Sequence, residues 1–342
     1  MVSEWLKYIL IFCLPLHNPI AMSQNTFTPE KILIITTGGT IGSTSEAGNI
    51  RGKSLIESVP EIARYAEADH YEFSEKGSSK ITPADWLRLG QLINGSLEKY
   101  RGFVITHGTD SMEETAFFLN LTVKSEFPVV LTGSMRPSDF VSADGPANVI
   151  NAVRVAVAPA SLGQGVLIVM NDMISCARDT WKTDDLRLQS FQSPSFGHLG
   201  VVDPDTVVYY RQVTHLHTKD TPFDISGVEI LPRVDLLSDF TGLSPDIIKN
   251  VFDLPSDGLV LQSFAGGRTS ANVHAKLESW NSGKPVLVAS RVPMGRIPSQ
   301  DMYGDAVFIA ADLPANKARI LLMLALTLND EHVNIKELFS RF

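Results

Sequence analysis

Four short, unbroken apolar runs set the limits on what this chain can become. Residues 31–35, 102–106, 128–132 and 165–170 are rich in aliphatic and β-branched side chains and show no alternation of apolar with polar positions. A strand with one wet face alternates, whereas a strand covered on both faces does not, so these runs suit a parallel sheet buried on both sides. Helix-patterned stretches lie at 83–97, 112–123 and 148–158. Strand, loop, helix and strand in succession predict an α/β fold with right-handed crossovers. The pattern changes near Tyr209. Residues 209–233 are polar, carry Pro222 and Pro232, and read as a linker. A second series follows, with strands at 258–261 and 285–289, a helix after Thr269 and a last long helix around 316–328. The expectation is a larger N-terminal domain at 31–208, a doubly wound and mostly parallel sheet, plus a smaller C-terminal α/β domain at 234–342.

A chain of 342 residues, 44% hydrophobic and 20% charged, builds cores of this kind without disulfides or metal. Its net charge of −9, with no block of Lys or Arg, argues against a nucleic-acid partner or an anionic membrane surface, because phosphate binding needs clustered cations. The first residues read as an address. A polar start is followed by an apolar run at 8–16, of signal-peptide length and too short to span a bilayer as a helix. Ala21-Met22-Ser23 then offers small residues at the two positions a signal peptidase reads. Phe12 before Cys13 excludes a lipoprotein signal. Residues 1–23 are therefore expected to be a signal peptide and the mature protein periplasmic and free of the membrane; translation from Met22 would instead leave it cytoplasmic. Once the leader is cut, Cys176 stands alone and no intrachain disulfide can form.

In open α/β sheets ligands bind at the carboxyl ends of the strands, so the polar residues there carry the functional information. The first strand runs into Thr36-Thr37-Gly38-Gly39-Thr40-Ile41-Gly42. Neither GxGxxG nor GxxxxGK[ST] spacing is present, which weakens a nucleotide reading. Alone, the loop would be a glycine turn with a capping Thr. The second strand ends in His107-Gly108-Thr109-Asp110-Ser111-Met112-Glu113-Glu114-Thr115. Helix capping explains part of this, with Asp110 or Ser111 as the cap and two acids in the first turn; Thr109 and Asp110 can face a cleft at the same time. A third segment, Arg178-Asp179-Thr180-Trp181-Lys182-Thr183, supplies a lysine. A Thr hydroxyl is a poor nucleophile until a base takes its proton. Lysine serves only if its pKa is brought down to roughly 7–8 by burial and neighbours, and an adjacent carboxylate balances the charge it gains. His215 and His217 could suggest a metal, but no further His or Cys stands at ligand spacing, and a solvated linker explains them better.

These segments resemble the L-asparaginase/glutaminase family, which carries a TGGTIG-type loop and an HGTD[ST]MEET segment. The resemblance continues through Thr132-Gly133-Ser134-Met135-Arg136-Pro137, Ser142-Ala143-Asp144-Gly145-Pro146, Val169-Met170-Asn171-Asp172, Thr221-Pro222-Phe223-Asp224, Ser290-Arg291-Val292-Pro293 and Lys317-Ala318-Arg319-Ile320-Leu321. It implies hydrolysis of L-asparagine, with L-glutamine as a further substrate, to the acid and ammonia through an acyl-threonine intermediate, with no cofactor. Thr40 would be the nucleophile, and Thr109, Asp110 and Lys182 the second catalytic group. Ser78 would contact the substrate α-carboxylate, with Ser79 beside it, while Asp110 holds the α-ammonium and the Ser134 backbone lies by the scissile amide. The family's larger bacterial members are homotetramers built from intimate dimers. Three departures stand out. No Tyr lies between Ile41 and Gly52, where family members place one on a mobile loop. Ser79 replaces a Gln found in periplasmic members. Tyr303 stands where they bring a Glu from the neighbouring subunit to the substrate ammonium, a loss worth on the order of tenfold to a hundredfold in binding. Two other readings remain open: an amidase for a related amide such as a D-amino acid or glutamyl adduct, or a catalytically weak amino-acid-binding homologue.

Overall fold

A computed structural model of the chain describes residues 30–39, 41, 43–44, 48–49, 56–281, 283–298, 303, 306–328 and 334–342. The leader expected at 1–23, Thr40, and most of the loop expected to lack a Tyr lie outside them.

Strand β1 (Lys31–Thr36) shows what an unbroken apolar run does. Leu33 and Ile35 pack on one face with Trp86, Phe117 and Phe118, while Ile32 and Ile34 pack on the other with Val149 and Val153. Successive side chains point to opposite faces, so only a strand apolar at every position can be covered twice. After β1 come a small ribbon, β2 (Ser43–Thr44) and β3 (Gly48–Asn49), then β4 (Glu67–Glu72), helix α1 (Pro83–Asn94), β5 (Gly102–Thr106), α2 (Met112–Thr122), β6 (Val129–Thr132), α3 (Gly145–Val157) and β7 (Val166–Met170). Strands β4, β1, β5, β6 and β7 lie side by side and parallel. Three antiparallel strands extend the edge: β8 (Met173–Cys176), β11 (Gly200–Val202) and β12 (Val207–Tyr209), making eight in all. Strands β9 (Trp181–Lys182) and β10 (Phe191–Gln192) form a separate ribbon. Helices α1 and α2 cover one face and α3 the other, the doubly wound arrangement.

The second unit is a parallel sheet of β13 (Val234–Ser238), β14 (Gly258–Ser263), β15 (Val286–Ser290) and β16 (Val307–Ile309). Helices α4 (Pro245–Phe252) and α5 (Ala271–Glu278) cover one face through Ile248, Phe252, Val273 and Leu277. Helix α6 (Ala315–Ala325) covers the other and belongs to the same continuous core as α2. None of the described helices is long and apolar enough to cross a membrane.

Several boundaries differ from the sequence reading for identifiable reasons. Helix α1 stops at Asn94, where Gly95 closes the last turn by donating to the Gln91 carbonyl. Helix α3 starts three residues early because Gly145-Pro146 occupies its first turn, where proline's missing N–H costs nothing. Helix α6 is not the last, since α7 (Ile335–Arg341) follows it. The segment at 209–233 is packed rather than solvated. Phe223 and Ile225 are fully buried, the Thr221 hydroxyl donates to Leu121 O at 2.6 Å, and the Gln91 amide donates to both Ile225 O and Val228 O at 3.0 Å. A backbone laid across two helices must find partners for its polar groups, and the side chains of Gln91 in α1 and Lys124 just after α2 provide them.

The connection leaving β1 carries Val59 and Ile62 to the α3 face, whereas the connection leaving β5 carries α2 to the opposite face. Adjacent strands whose connections diverge leave a crevice at their carboxyl ends. The most heavily used packing there is aromatic: Phe118 is fully buried, with its ring centroid 5.9 Å from that of Trp86. Phe118→Ala is expected to destabilise the protein by about 3–5 kcal/mol, read as a lower denaturation midpoint; a change under about 1 kcal/mol would contradict this packing.

Candidate active site

At the crevice the backbones of two loops nearly touch. Gly38 and Gly39 both adopt φ near +95°. A Cβ on Gly39 would lie 2.4 Å from Gly108 Cα, and one on Gly38 2.5 Å from Lys76 O. Only glycine tolerates both the conformation and the approach. Thr40, the expected nucleophile, follows Gly39 directly in the chain but is itself outside the described residues.

The loop after β5 is held by a chain of hydrogen bonds. His107 is fully buried; its Nδ1 donates to Gly108 O at 2.7 Å, which leaves Nε2 to accept from the Thr115 hydroxyl at 3.0 Å. Thr115 in turn accepts from the Trp86 indole at 2.9 Å. Burial pushes the imidazole down to about 4, so His107 is neutral at physiological pH and positions the loop rather than carrying charge. Ser78 locks in from the side. Its hydroxyl oxygen accepts from Asp110 N at 3.1 Å, and its carbonyl accepts from the Ser111 hydroxyl at 2.7 Å. Ser111 therefore occupies the N-cap position of α2 without capping it, a correction to the sequence reading: its hydroxyl is committed to Ser78 instead. The Ser78 proton remains available for an incoming acceptor. Ser79, next to it, is exposed.

The loop after β6 brings in Ser134, buried, with its hydroxyl donating to Arg136 O at 2.9 Å. Asp144 shapes this loop by accepting from the amides of Met135 and Arg136 at 3.0 and 2.9 Å. A Cβ on Gly133 would meet the Thr109 methyl at 3.4 Å, so this loop and Thr109 are in van der Waals reach.

Lys182 comes from the β9 ribbon, more than seventy positions along the chain. Its ammonium donates to Thr109 Oγ1 and to Asp110 Oδ1, both at 3.1 Å. The lysine side chain is 18% exposed and the Asp110 side chain 65%. The site is thus sealed behind the lysine and open on the carboxylate side, from which a ligand can approach. An ion pair this exposed contributes only about 0–1 kcal/mol to stability, so its value is positional. Chemically, a neutral amine here can take the Thr109 proton while the carboxylate stabilises the resulting charge.

Sequence reasoning missed a second ring of residues around that lysine. Glu113 accepts from the Lys182 backbone amide through one oxygen and from the Asn316 side chain through the other, the latter at 2.8 Å. In sequence it looks like an ordinary first-turn acid, and nothing local marks its reach. Arg178 is buried and pairs bidentately with Asp312 at 2.8 and 3.2 Å, tying the loop before Lys182 to the second unit. Cys176 is buried, donates to Asp179 Oδ2 at 3.1 Å, and has its thiol pushed up to about 12 by burial and that carboxylate. Tyr303 donates its hydroxyl to Gly267 O at 3.0 Å and packs edge-on against His274 within its own unit.

Two family models match the chain, "Asparaginase, N-terminal" over residues 31–215 and "Glutaminase/Asparaginase C-terminal domain" over residues 233–339. The chain belongs to the asparaginase family. It is 38% identical over 323 residues to L-asparaginase 2 of Escherichia coli (strain K12), spanning 91% of this chain and 93% of that one. The same figures hold for a protein of Haemophilus influenzae named probable L-asparaginase periplasmic. The crystal structure of a probable cytoplasmic L-asparaginase from Campylobacter jejuni matches with a TM-score of 0.85 at 39% identity, covering 92% of this chain and 100% of that one. Its fold is therefore that of the family: a large, mostly parallel sheet followed by a smaller parallel one.

The neutral His107 has a consequence for acid stability. Its folded pKa of about 4 lies below the ordinary 6.5, so between those values the unfolded chain binds the extra proton. Stability should rise with pH across that window and be lost as pH falls through it, by up to about 3 kcal/mol in total. Urea midpoints measured from pH 4 to 7 should show a shallower slope in His107→Gln than in wild type; equal slopes would refute the assignment.

Proposed function

We propose that this chain is an amidohydrolase that releases ammonia from the side-chain amide of L-asparagine, with L-glutamine as a further substrate, through an acyl-Thr40 intermediate. The observation that carries the reading is the contact of one lysine amine with both Thr109 and Asp110 at the mouth of the crevice. In this reading the Thr40 hydroxyl attacks the amide carbon, the C–N bond breaks, and the departing nitrogen leaves as ammonia with the hydroxyl proton. Water then attacks the ester; the proton it loses passes by way of Thr109 to Lys182 and is returned to the leaving Thr40 oxygen, which releases the acid and regenerates both the Thr40 hydroxyl and the neutral amine. Asp110 takes both the lysine's charge and the substrate's α-ammonium. Ser78, whose hydroxyl oxygen already accepts from Asp110 N, turns its proton toward the α-carboxylate, with Ser79 beside it. The backbone at Ser134 lies along the scissile amide.

Residues 31–208 supply this chemistry, 209–233 link, and 234–342 brace it. We further propose that the first 23 residues direct export to the periplasm, which rests on their composition and on one relative's printed name, and that the mature protein is a homotetramer, which rests on the family resemblance. The departure at Tyr303 motivates a second reading, an amidase for a related amide, because a Tyr offers no carboxylate where the family brings a neighbouring subunit's Glu to the substrate ammonium.

Steady-state ammonia release with L-asparagine, L-glutamine and D-asparagine side by side separates these readings; turnover on none of them would defeat the first. Thr40→Ala should lower kcat by several orders of magnitude with the fold intact, and residual activity within about tenfold of wild type would remove Thr40 from the mechanism. Lys182→Met should lower kcat by roughly 10²–10⁴ while leaving the unfolding midpoint nearly unchanged, since the carboxylate it leaves unpaired is 65% exposed. Lys182→Arg should fail too, because a guanidinium cannot release its proton.

A further inference from the structure

Lys317 sits in the first turn of α6 with none of its surface exposed. Its ammonium donates to three backbone oxygens: Ala177 O at 2.7 Å, Arg178 O at 2.8 Å and Thr180 O at 2.5 Å. Burial of a cation is tolerable only when every proton on it is bonded. Three converging carbonyls match the three donors of an –NH3⁺ group and of no other side chain. Burial brings this amine down to about 8, which still leaves it protonated at neutral pH. The Phe117 ring, 5.7 Å from Nζ, closes another side of the pocket.

Those carbonyls belong to the turn that leads from β8 into β9, and Lys182 follows Thr180 by two residues. The same turn is drawn tight by Thr180, whose hydroxyl donates to Cys176 O at 2.7 Å. Asn316, the neighbour of Lys317, fixes Glu113, and Glu113 accepts the Lys182 amide. One turn of α6 therefore grips both the entry to the ribbon and the backbone of Lys182 itself.

We propose that Lys317 is a positioning residue for Lys182, its buried ammonium being the template around which the turn at 177–180 is wound. The proposal rests on the reading of Lys182 as the base. Without the ammonium, three carbonyls lose their donor and the turn relaxes outward, carrying the Lys182 amine away from Thr109 and Asp110. A displacement near 1 Å in a catalytic group is enough to cost on the order of a hundredfold in rate.

The test is steady-state kinetics of the full chain with L-asparagine for Lys317→Met, alongside Lys182→Met, with the unfolding midpoint recorded for each. A folded Lys317→Met with kcat lowered about tenfold to a hundredfold and KM within about threefold of wild type is the expected result. A folded protein with wild-type kcat, or one that loses KM while keeping kcat, overturns the proposal. If Lys182→Met retains kcat, the base assignment falls and this proposal with it; if Lys182→Met is inactive while Lys317→Met is normal, only the positioning role falls. Should Lys317→Met not fold, Lys317→Gln, which keeps two donors, is measured in the same way. Failure of both to fold also overturns the proposal, because Lys317 would then determine the fold rather than the site.

Discussion

Helix α6 is the constraint on which the rest of the molecule depends. It packs on one side against α2 of the large sheet and on the other against β13, β14 and β15, so that one unbroken apolar core runs through both units. Residues such as Ile320, Leu321, Leu322 and Leu324 are fully buried or nearly so. From Ile320 to Ala325 the helix is apolar at every position and buried at every position. The two units are therefore not free to rock as beads on a tether, and the fully buried Phe223 and Ile225 in the segment between them strengthen the join.

Onto this shared wall the polar groups of the site are placed in two tiers. The deep tier consists of Lys317, Arg178 and His107, each buried and each with its donors committed to a partner. Removing a partner from such a group exposes the full cost of an unsatisfied buried donor or acceptor, so this tier is rigid. The outer tier, Asp110 with the tip of Lys182, faces solvent and contributes little to stability. Stability and chemistry are separated in space: the deep groups fix geometry and the outer ones face the open side of the crevice.

How much of this could be read from residues alone follows from the same distinction. Four of the five parallel strands were legible because each is apolar at consecutive positions, a pattern that burial on both faces requires; β4, Glu67–Glu72, was not, because it lies at the edge of the sheet and is mostly polar. Strands β8, β11 and β12 were not; they are short, antiparallel and marginal to the sheet, and the turn that starts them, Asn171-Asp172 with φ of 51° and 64°, looks in sequence like a plain strand end. The polar cluster was legible in kind, since Thr109, Asp110 and Lys182 fall in segments with a recognisable order. The family resemblance put those three in one group; the bridge from Glu113 to Asn316 was not legible, because those partners lie more than two hundred positions apart. Ser111 misled for the opposite reason. A local rule predicted a cap, and a tertiary hydrogen bond to Ser78 took its hydroxyl.

The buried thiol of Cys176 turns the β8 edge into a clock. It is the single cysteine among the described residues, and its thiol is both hidden and held far from the thiolate that reacts. A thiol-directed dye can modify it only in those moments when the edge of the large sheet opens. The rate of dye incorporation at Cys176 in the native protein thus counts the opening events of one strand.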